Sequence, residues 1–308
     1  MNRERIIQSI VFSITLFILL AVHAGFVLDD SFITYRYSKN LVDGHGLVWN
    51  VGEDPVEGYT SFLWVLLNAL GMKFGIDPVV FSKAIGSIAA LSIVWILVSA
   101  SSNLDWKLKL IFIGGIALSP PFAFLAMQGM ETSLTALLLL TSSIAALRVI
   151  RNGDSKNFFL WNLLAFICFL SRPDTAIFSI GVGTVLIIYY IRSEEVRASK
   201  LFPMILVGFI ILFLLYNYWR FKTFGYLMPN TYYVKGGLDE SGLFKKVGFY
   251  YVVSFFLNIL FPYLLLTSGL LWKSISRDKL VRYLPIIAGC ILFLIYPVTI
   301  KPIQGFLW

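Results

Sequence analysis

The sequence has little charge for its length. Only 14% of its 308 residues are charged, whereas 58% are hydrophobic, and the mean hydropathy is +0.81. Soluble globular domains contain about 25% charged and 45–50% apolar residues, so this composition excludes an ordinary soluble domain and indicates a polytopic membrane protein. We interpret the net charge of +8 as a feature of membrane topology rather than of nucleic-acid binding, because Lys and Arg flank membrane spans.

Cysteine and histidine are also scarce. Cys168 and Cys290 each lie in an apolar run, so they predict neither a disulfide framework nor a zinc site. One of the two histidines, His45, lies among acids. A single histidine near acids is weak evidence for a metal centre. The first apolar run, of about 22 residues, is longer than the hydrophobic core of a cleavable signal and has no small-residue cleavage site, so we expect it to remain as a membrane span.

Long apolar runs fill most of the chain. A helix that crosses a bilayer needs about 20 predominantly apolar residues. The predicted spans are 6–27, 79–100, 108–127, 132–150, 157–171, 175–192, 201–221, 249–272 and 283–300. We therefore predict an all-α polytopic fold of about nine transmembrane helices, with no separate soluble C-terminal domain.

The short apolar run 61–75 decides which way the later segments face. If this run does not cross the bilayer and the N-terminus is cytoplasmic, 14 of the 25 Lys and Arg residues fall on the cytoplasmic side. If it crosses, the later loops change sides and the bias reverses. Because cytoplasmic loops carry the excess of Lys and Arg, we predict that 61–75 is a juxtamembrane helix at the outer interface, within an external loop 28–78.

Most of the polar chemistry lies in one stretch, Leu28–Thr60, which follows the first apolar run. It contains six carboxylates and His45. Three more polar segments, 127–133, 171–174 and 224–235, fall on the same outer side in the predicted topology. A shared side allows all four segments to converge, so we predict that they contribute to one pocket.

Asp29 and Asp30 are adjacent where the first span leaves the bilayer. Ionisable residues at membrane depth are costly and usually functional. Adjacent side chains do not share a face of a helix or a strand, so we expect one acid to reach the reacting centre while the other anchors the loop. A carboxylate there can take a proton from a hydroxyl; the alternative is a helix cap or solvated loop acids.

Glycine-punctuated turns with aromatic residues follow the acid pair. We expect Trp49, Tyr59 and Trp64 either to stack on a sugar or to belong to the aromatic belt of the membrane interface. His45 is either a general base or a hydrogen-bonded loop histidine. Arg36 contacts a phosphate or orients an acid, or else it is an interfacial cation whose stem lies along apolar surface.

The three later segments each contain candidate groups. Glu131 is either a second carboxylate that faces the acid pair or an acid at a helix start, where the dipole favours it. Arg172 either binds a lipid-linked phosphate or pairs with Asp174 across Pro173. In MPNTYYVK, Asn and Tyr can hydrogen-bond sugar hydroxyls and Lys235 can meet a phosphate; the alternative is an interfacial belt with basic anchors.

These motifs carry a resemblance to a known family. The segment DDSFITYRYSKNLVDGHGLVWNVGEDPVEGYTSFLW, followed in order by GMETS, RPD and PNTYYVK, resembles the polytopic GT-C glycosyltransferases, in particular the mycobacterial-type terminal arabinofuranosyltransferases. The resemblance implies a single GT-C-like membrane domain over 1–308. It also implies inverting transfer of a sugar from a polyprenyl-phosphate donor to a cell-envelope glycan, lipid or protein, on the outer face of the plasma (inner) membrane.

The same resemblance assigns roles to residues. It implies that Asp29 or Asp30 is the base that deprotonates the acceptor hydroxyl. Arg172 and Lys235 are the first candidates for holding the phosphate. A monophosphate leaving group can be held by Arg and Lys alone, so we predict no metal and no cofactor. The full set of expected substrate-binding residues is Arg36, His45, Glu57, Tyr59, Glu131, Arg172, Asn230, Tyr232 and Lys235.

Two other classes of function remain as alternatives. A transporter or flippase of lipid-linked sugars would place charged sites near the bilayer midplane on broken helices, whereas ionisable residues are rare within the predicted spans, with Lys83 the main exception. A non-catalytic relative that only binds a polyprenyl lipid is the other alternative. The scarcity of charge within the spans disfavours transport, and the intact Asp29–Asp30 pair favours an enzyme over a non-catalytic binder.

Overall fold

The protein is described by a computed structural model, which covers residues 3–100, 113–117, 119–193, 200–226, 229–230, 253 and 285–292, with side chains from residue 10 onwards. Every regular element within these ranges is a helix, so the prediction of an all-α fold is confirmed for them. The helices are α1 (Arg3–Val22), α2 (Asp30–Val42), α3 (Phe62–Lys73), α4 (Pro78–Ala100), α5 (Pro120–Met127), α6 (Thr132–Asn152), α7 (Ser155–Ser171), α8 (Thr175–Arg192) and α9 (Leu201–Phe224).

Four of these helices are long and apolar enough to cross a membrane: α4, α6, α8 and α9. They confirm the apolar helices predicted at 79–100, 132–150, 175–192 and 201–221. The described apolar parts of α1 and α7 are shorter, as is α3. Together these helices indicate a membrane protein.

Other parts of the nine-span prediction are not settled by these helices. The predicted span 108–127 contains a helical turn, Gly115–Ala117, and then α5, which begins at Pro120. The predicted spans 249–272 and 283–300 lie largely outside the described residues, apart from helical positions at 253 and 285–292. The count of nine spans therefore stays a prediction.

Helix α3 is short for a membrane span. Its 12 residues extend about 18 Å at 1.5 Å per residue, against a hydrocarbon core of about 30 Å. Its buried residues include Trp64, Val65 and Asn68, and the helix packs against α2 and α4. The length agrees with the prediction that 61–75 does not cross the bilayer, and its external location stays a prediction.

Side chains in the preceding turns explain where several helices begin. The hydroxyl of Ser61 accepts a hydrogen bond from the amide of Trp64 at 3.2 Å, at the start of α3. Asp77 accepts from the amide of Val80 at 3.0 Å, at the start of α4. Such caps satisfy amides that have no partner within the first turn of a helix. They fix the ends of the helices that surround α2.

Close contacts group the chain into two compact units, 1–140 and 141–308, which are described separately. In the first unit, α1, α4 and α5 pack around an apolar core that includes Leu16, Ala90, Val94 and Ala126. A Cβ atom at Gly86 would lie 2.1 Å from the backbone oxygen of Ala126. The glycine therefore permits the close approach of α4 to α5, as small residues do between membrane helices.

Lys83, the cation predicted within a span, has a structural partner in the first unit. It lies in the second turn of α4, and its amine donates a hydrogen bond to the backbone oxygen of Ala24, just after the end of α1. A cation at this position satisfies a carbonyl group that the helix end leaves open. Lys83 thus joins α4 to the turn that leads towards Asp29.

In the second unit, α7 packs against both α8 and α9. The rings of Phe158 and Phe202 stack with centroids 4.5 Å apart, and Trp161 lies against Gly183, whose missing side chain leaves room for the indole. These contacts are aromatic and apolar, as expected for helices that associate by packing within a membrane.

Candidate active site

Asp29 and Asp30 lie at the start of α2, and both side chains are exposed. Asp29 is the N-cap residue, and its Oδ1 accepts the amide of Asp30 at 2.9 Å. The carboxylate of Asp30 has no hydrogen-bond or ion-pair partner among the residues that the structure describes. Asp29 thus caps the helix, which is the alternative that the sequence left open. A catalytic role for either acid stays a prediction.

The beginning of α2 lies directly beside the turn that precedes α6. The amide of Leu28 donates to the backbone oxygen of Gln128 at 2.9 Å. The hydroxyl of Ser31 donates to the same oxygen at 3.0 Å. The structure thus brings together two of the four predicted polar segments, the acid pair and residues 127–133.

Gly129, next in this turn, joins α2 to α3. Its backbone oxygen accepts a hydrogen bond from Nε1 of the buried Trp64 at 3.0 Å. Gly129 has φ +89°, and a Cβ there would lie 2.7 Å from the hydroxyl of Tyr35 and 2.8 Å from that of Ser31. Only glycine fits both the conformation and the space, so this residue fixes how closely the turn approaches α2.

A pair of buried hydroxyls joins α2 to α4. The oxygens of Tyr35 and Ser82 lie 2.6 Å apart, and both residues are at least 95% buried. Burial raises the pKa of the Tyr35 phenol above its ordinary value, and the hydrogen bond to Ser82 opposes this shift. Because buried polar pairs are costly to leave unsatisfied, this contact resists displacement of α2.

A third contact joins α2 to α3. The hydroxyl of Ser38, fully buried, lies 2.9 Å from the backbone oxygen of Val65 and 2.8 Å from that of Thr34. The buried face of α2 is thus held by hydrogen bonds to α3, to α4 and to the turn at Gln128–Gly129. We call these contacts the α2 anchor. None of the serines in it was predicted as functional, because serine is common and its burial is visible only in the fold.

Glu131 is 1% exposed and lies immediately before α6. Its backbone oxygen accepts the amide of Thr135 at 2.9 Å and the hydroxyl of Thr135 at 3.1 Å. The position agrees with the expected acid at a helix start. A role for its carboxylate beside the acid pair stays a prediction.

The loop after α2 is held by Arg36. Its Nε donates to the backbone oxygen of Trp49 at 2.8 Å, and its Nη2 to Oδ1 of Asn50. The guanidinium carbon lies 4.1 Å from the centroid of the Trp49 ring. Arg36 thus uses two of its N–H groups to shape the loop, and the predicted phosphate contact would have to use the others.

The remaining first-loop candidates differ in exposure. His45 is exposed, and its amide donates to the backbone oxygen of Asn40 at 2.9 Å. Glu57 and Tyr59 are 4% and 3% exposed, and the Tyr59 ring meets Tyr37 edge to face at 4.9 Å. The substrate-binding roles of all three stay predictions.

Trp64 corrects one expectation. The sequence placed it either against a sugar or in the interfacial aromatic belt. It is fully buried, and its indole donates to Gly129, so both interpretations were wrong. A tryptophan in an apolar run gives no sign in the sequence of whether it faces the membrane or the interior.

An open cleft of about 270 Å³ lies between α2 and the loop that Arg36 holds. Its lining residues come from both elements: Ile33, Tyr37, Trp49, Asn50, Glu53, Asp54, Val56 and Gly58. The hydroxyl of Tyr37 donates to the backbone oxygen of Val56 and accepts the amide of Gly58 at 2.9 Å. The buried phenol, whose pKa burial raises, therefore ties the helix to the far side of the cleft.

In the second unit, Arg172 and Asp174 form the pair that was one of the two predicted alternatives. Nε of Arg172 donates to Oδ1 of Asp174 at 3.2 Å, and Nη2 donates to Oδ2 at 3.3 Å. Pro173 separates the two residues in the sequence. A two-point contact orients the guanidinium, and the Arg172 side chain remains 39% exposed. The phosphate role of Arg172 stays a prediction alongside this pair.

The last predicted segment is only partly described. Asn230 is half-buried, whereas Tyr232 and Lys235 lie outside the described residues. Within the ranges that the structure covers, no cluster of three or more His, Cys, Asp or Glu side chains is placed to hold a metal ion. The prediction that the chain needs no metal remains a prediction.

Comparison with known proteins finds a distant curated relative. The chain is 28% identical over 240 residues to the terminal beta-(1->2)-arabinofuranosyltransferase of Corynebacterium glutamicum. The match covers 69% of this chain and 33% of that protein, so the chain spans about a third of the length of this relative. No family model matches the chain, and no solved structure gives a significant match. The match supports a distant glycosyltransferase-like relationship.

Proposed function

We propose that this chain is an inverting membrane glycosyltransferase. It moves a sugar from a polyprenyl-phosphate donor to a hydroxyl of a cell-envelope acceptor on the outer face of the membrane. The observation that carries the proposal is the open carboxylate of Asp30 on a helix that buried hydrogen bonds hold in place. The relationship to an arabinofuranosyltransferase supports this class and makes polyprenyl-phosphate arabinofuranose the first donor to try.

We assign Asp30 as the base. Its carboxylate takes the proton of the acceptor hydroxyl as the oxygen attacks the anomeric carbon of the donor from the face opposite the phosphate. The bond from the anomeric carbon to the phosphate oxygen breaks, and polyprenyl phosphate leaves with the electron pair. Asp29, whose carboxylate accepts the amide of Asp30, positions the base. A rigid support matters because small displacements of a catalytic group cost large factors in rate.

Basic side chains are assigned to the phosphate that leaves. Arg172 and Lys235 are the main candidates, and Arg36 contributes through the N–H groups that its loop contacts leave over. Charge-assisted hydrogen bonds from such groups are stronger in a site that excludes water. A monophosphate can be stabilised in this way without a metal ion.

The proposal is tested by release of polyprenyl phosphate from purified full-length chain in lipid nanodiscs. A panel of polyprenyl-phosphate pentoses and hexoses is supplied with a membrane extract as acceptor. We expect release by the parent chain and a fall of about 10²–10⁴-fold in the double variant Asp29→Asn/Asp30→Asn. Asp43→Asn is the matched control, because Asp43 is an exposed acid of the same loop, paired with Lys39 at 2.8 Å.

Equal release by the parent and the double variant would contradict the catalytic assignment. Tight donor binding without any release, unchanged in the double variant, would instead support a non-catalytic lipid-binding protein. Movement of the intact donor across a sealed membrane would support a transporter.

A further inference from the structure

The cleft beside α2 has features of a second binding site, separate from the acid pair. Ile33 and Tyr37 line the cleft, and they follow Asp30 at helix positions i+3 and i+7. Residues at this spacing lie along one face of a helix. At 1.5 Å per residue, they lie about 4.5 Å and 10.5 Å further along the axis than Asp30. The cleft therefore begins about one helical turn from the proposed base.

Trp49 is one of the residues that line this cleft. Arg36 lies over the Trp49 ring, with its guanidinium carbon 4.1 Å from the ring centroid. Trp49 nevertheless remains 36% exposed. Asn40 and Arg36 both donate to the backbone oxygen of Trp49. A ring that is fixed before a ligand arrives gives up little conformational freedom on binding.

Three polar residues, Asn50, Glu53 and Asp54, line the same cleft. The side-chain nitrogen Nδ2 of Asn50 donates a hydrogen bond to Oε2 of Glu53 at 2.7 Å. Asp54 is exposed and makes no hydrogen bond or ion pair with any residue that the structure describes. Carboxylates accept hydrogen bonds from hydroxyl groups, and an unpaired carboxylate repels an anion.

These features select one class of ligand. An aromatic ring next to carboxylate and amide groups suits a sugar, which presents carbon–hydrogen faces and hydroxyl groups together. Phosphate is disfavoured because the two negative charges of Glu53 and Asp54 outweigh the one positive charge of Arg36, which lies over the Trp49 ring. The volume of about 270 Å³ is near the lower end of the roughly 300–1,000 Å³ typical of small-molecule sites, so we expect one or two sugar residues.

We propose that this cleft, through Trp49, Asn50, Glu53 and Asp54, binds a neutral sugar residue of the acceptor, next to the residue whose hydroxyl reacts at Asp30. The catalytic meaning of this site rests on the proposed glycosyltransferase function. The binding itself does not, because the cleft can be occupied without a donor. The acceptor then carries at least one neutral sugar residue beside the one that reacts.

The test measures binding of free saccharides to the full-length chain in nanodiscs, without a donor. The probes are neutral di- and trisaccharides of pentoses and hexoses, with a uronic-acid disaccharide as the anionic comparison. Saturation-transfer difference NMR gives the Kd for each probe. We expect at least one neutral probe to bind, and the anionic probe to bind more weakly.

Three variants locate the binding. Trp49→Ala should raise the Kd about tenfold, as loss of an aromatic anchor does in protein interfaces, and Trp49→Phe should restore part of the affinity. Asp54→Asn should raise the Kd about threefold through loss of a charged acceptor. Asp43→Asn, an exposed acid of the same loop that does not line the cleft, should bind as the parent does.

The outcomes separate this proposal from the catalytic one. Retained binding in Asp29→Asn/Asp30→Asn supports a distinct subsite, even if no donor is ever turned over. Binding that is unchanged in both Trp49→Ala and Asp54→Asn overturns the proposal. It is also overturned if no neutral probe binds near its solubility limit, or if the anionic probe or a lipid chain binds the cleft more tightly.

Discussion

Two segments contact α2, the turn at residues 128–131 and the loop at residues 48–58, and they differ in burial and in hydrogen bonding to the helix. The turn is buried, and its backbone oxygens accept hydrogen bonds from Ser31 and Trp64. The loop is mostly exposed and leaves a cleft against Ile33 and Tyr37. One side of the helix is fixed and the other is accessible, an arrangement that suits the role proposed for Asp30.

The largest loss of stability should come from the substitution Gly129→Ala. The added Cβ would lie 2.7 Å from the Tyr35 hydroxyl, at a residue with φ +89°. Positive φ alone costs about 1–3 kcal/mol, and the clash must add to this by displacing the α2 anchor. We expect a loss of more than about 3 kcal/mol in thermal unfolding measurements in detergent, an estimate built from that strain and overpacking costs.

Gly44→Ala is the matched control for this prediction. Gly44 has φ +86° with open space around it, so it carries the conformational cost without the clash. Equal destabilisation by the two substitutions would show that the turn does not brace α2.

The next effect concerns the hydroxyl pair that joins α2 to α4. Ser82→Ala leaves the buried Tyr35 hydroxyl with only the Gly129 oxygen, 3.5 Å away, which costs about 1–3 kcal/mol. Tyr35→Phe should cost less, because the Ser82 hydroxyl still donates to the backbone oxygen of Pro78 at 2.7 Å. The double variant should cost less than the sum of the two single variants, because the contact is lost only once. Additive losses, measured by the same unfolding assay, would show that the two hydroxyls do not interact.

The pair also serves the proposed catalysis. If Tyr35 positions the base, Tyr35→Phe should lower kcat for polyprenyl phosphate release and leave the donor KM nearly unchanged. A change confined to KM would contradict this role, as would a stability loss with no change in kcat.

Alkaline pH should destabilise the contacts that Tyr35 and Tyr37 make on the two sides of α2. Burial raises the pKa of Tyr35 and of Tyr37 above the ordinary value of 10.0. The folded chain therefore holds these phenolic protons more tightly than the unfolded chain. This stabilisation is fully present below about pH 10 and is lost as the pH rises through the raised pKa values.

Melting temperatures from pH 8 to strongly alkaline conditions test this linkage, with tyrosinate absorbance followed in parallel. Tyr37→Phe should flatten the alkaline decline, whereas Tyr226→Phe, beyond the end of α9, is the control for loss of an exposed phenol. An unchanged decline in Tyr35→Phe/Tyr37→Phe would contradict the assignment.

The smallest effect on stability is expected in the second unit. Asp174→Asn weakens the contact with Arg172, but both side chains are partly exposed, and pairs of this kind contribute about 0–1 kcal/mol. Arg172→Ala should likewise change stability little, while raising the donor KM if the guanidinium holds the phosphate. An unchanged donor KM would remove Arg172 from the site.

The sequence predicted the features that depend on composition and local pattern. The apolar helices α4, α6, α8 and α9 follow from runs long enough for a bilayer, and the short α3 follows from a run that is too short. The start of α6 beside Glu131 also agrees with the prediction. These features need no knowledge of which segments meet.

The features that depend on long-range contacts were not predictable. From the sequence, Trp64 is expected at the membrane interface. In the fold it is buried and donates a hydrogen bond to Gly129, 65 positions away. Ser31, Ser38 and Ser82 have no distinguishing pattern, and only the fold shows that they hold α2. The cleft at Trp49 depends in the same way on how Arg36 folds the loop back onto the helix.

Asp30 is proposed as an open base on a fixed helix, with Asp29 as its anchor. The most direct measurement is the single-turnover rate of polyprenyl phosphate release by the parent, Asp30→Asn and Asp29→Asn, with donor binding measured on the same samples. We predict that Asp30→Asn lowers the rate by about 10²–10⁴-fold with unchanged binding, and that Asp29→Asn lowers it less. Release by Asp30→Asn at the parental rate would contradict the account.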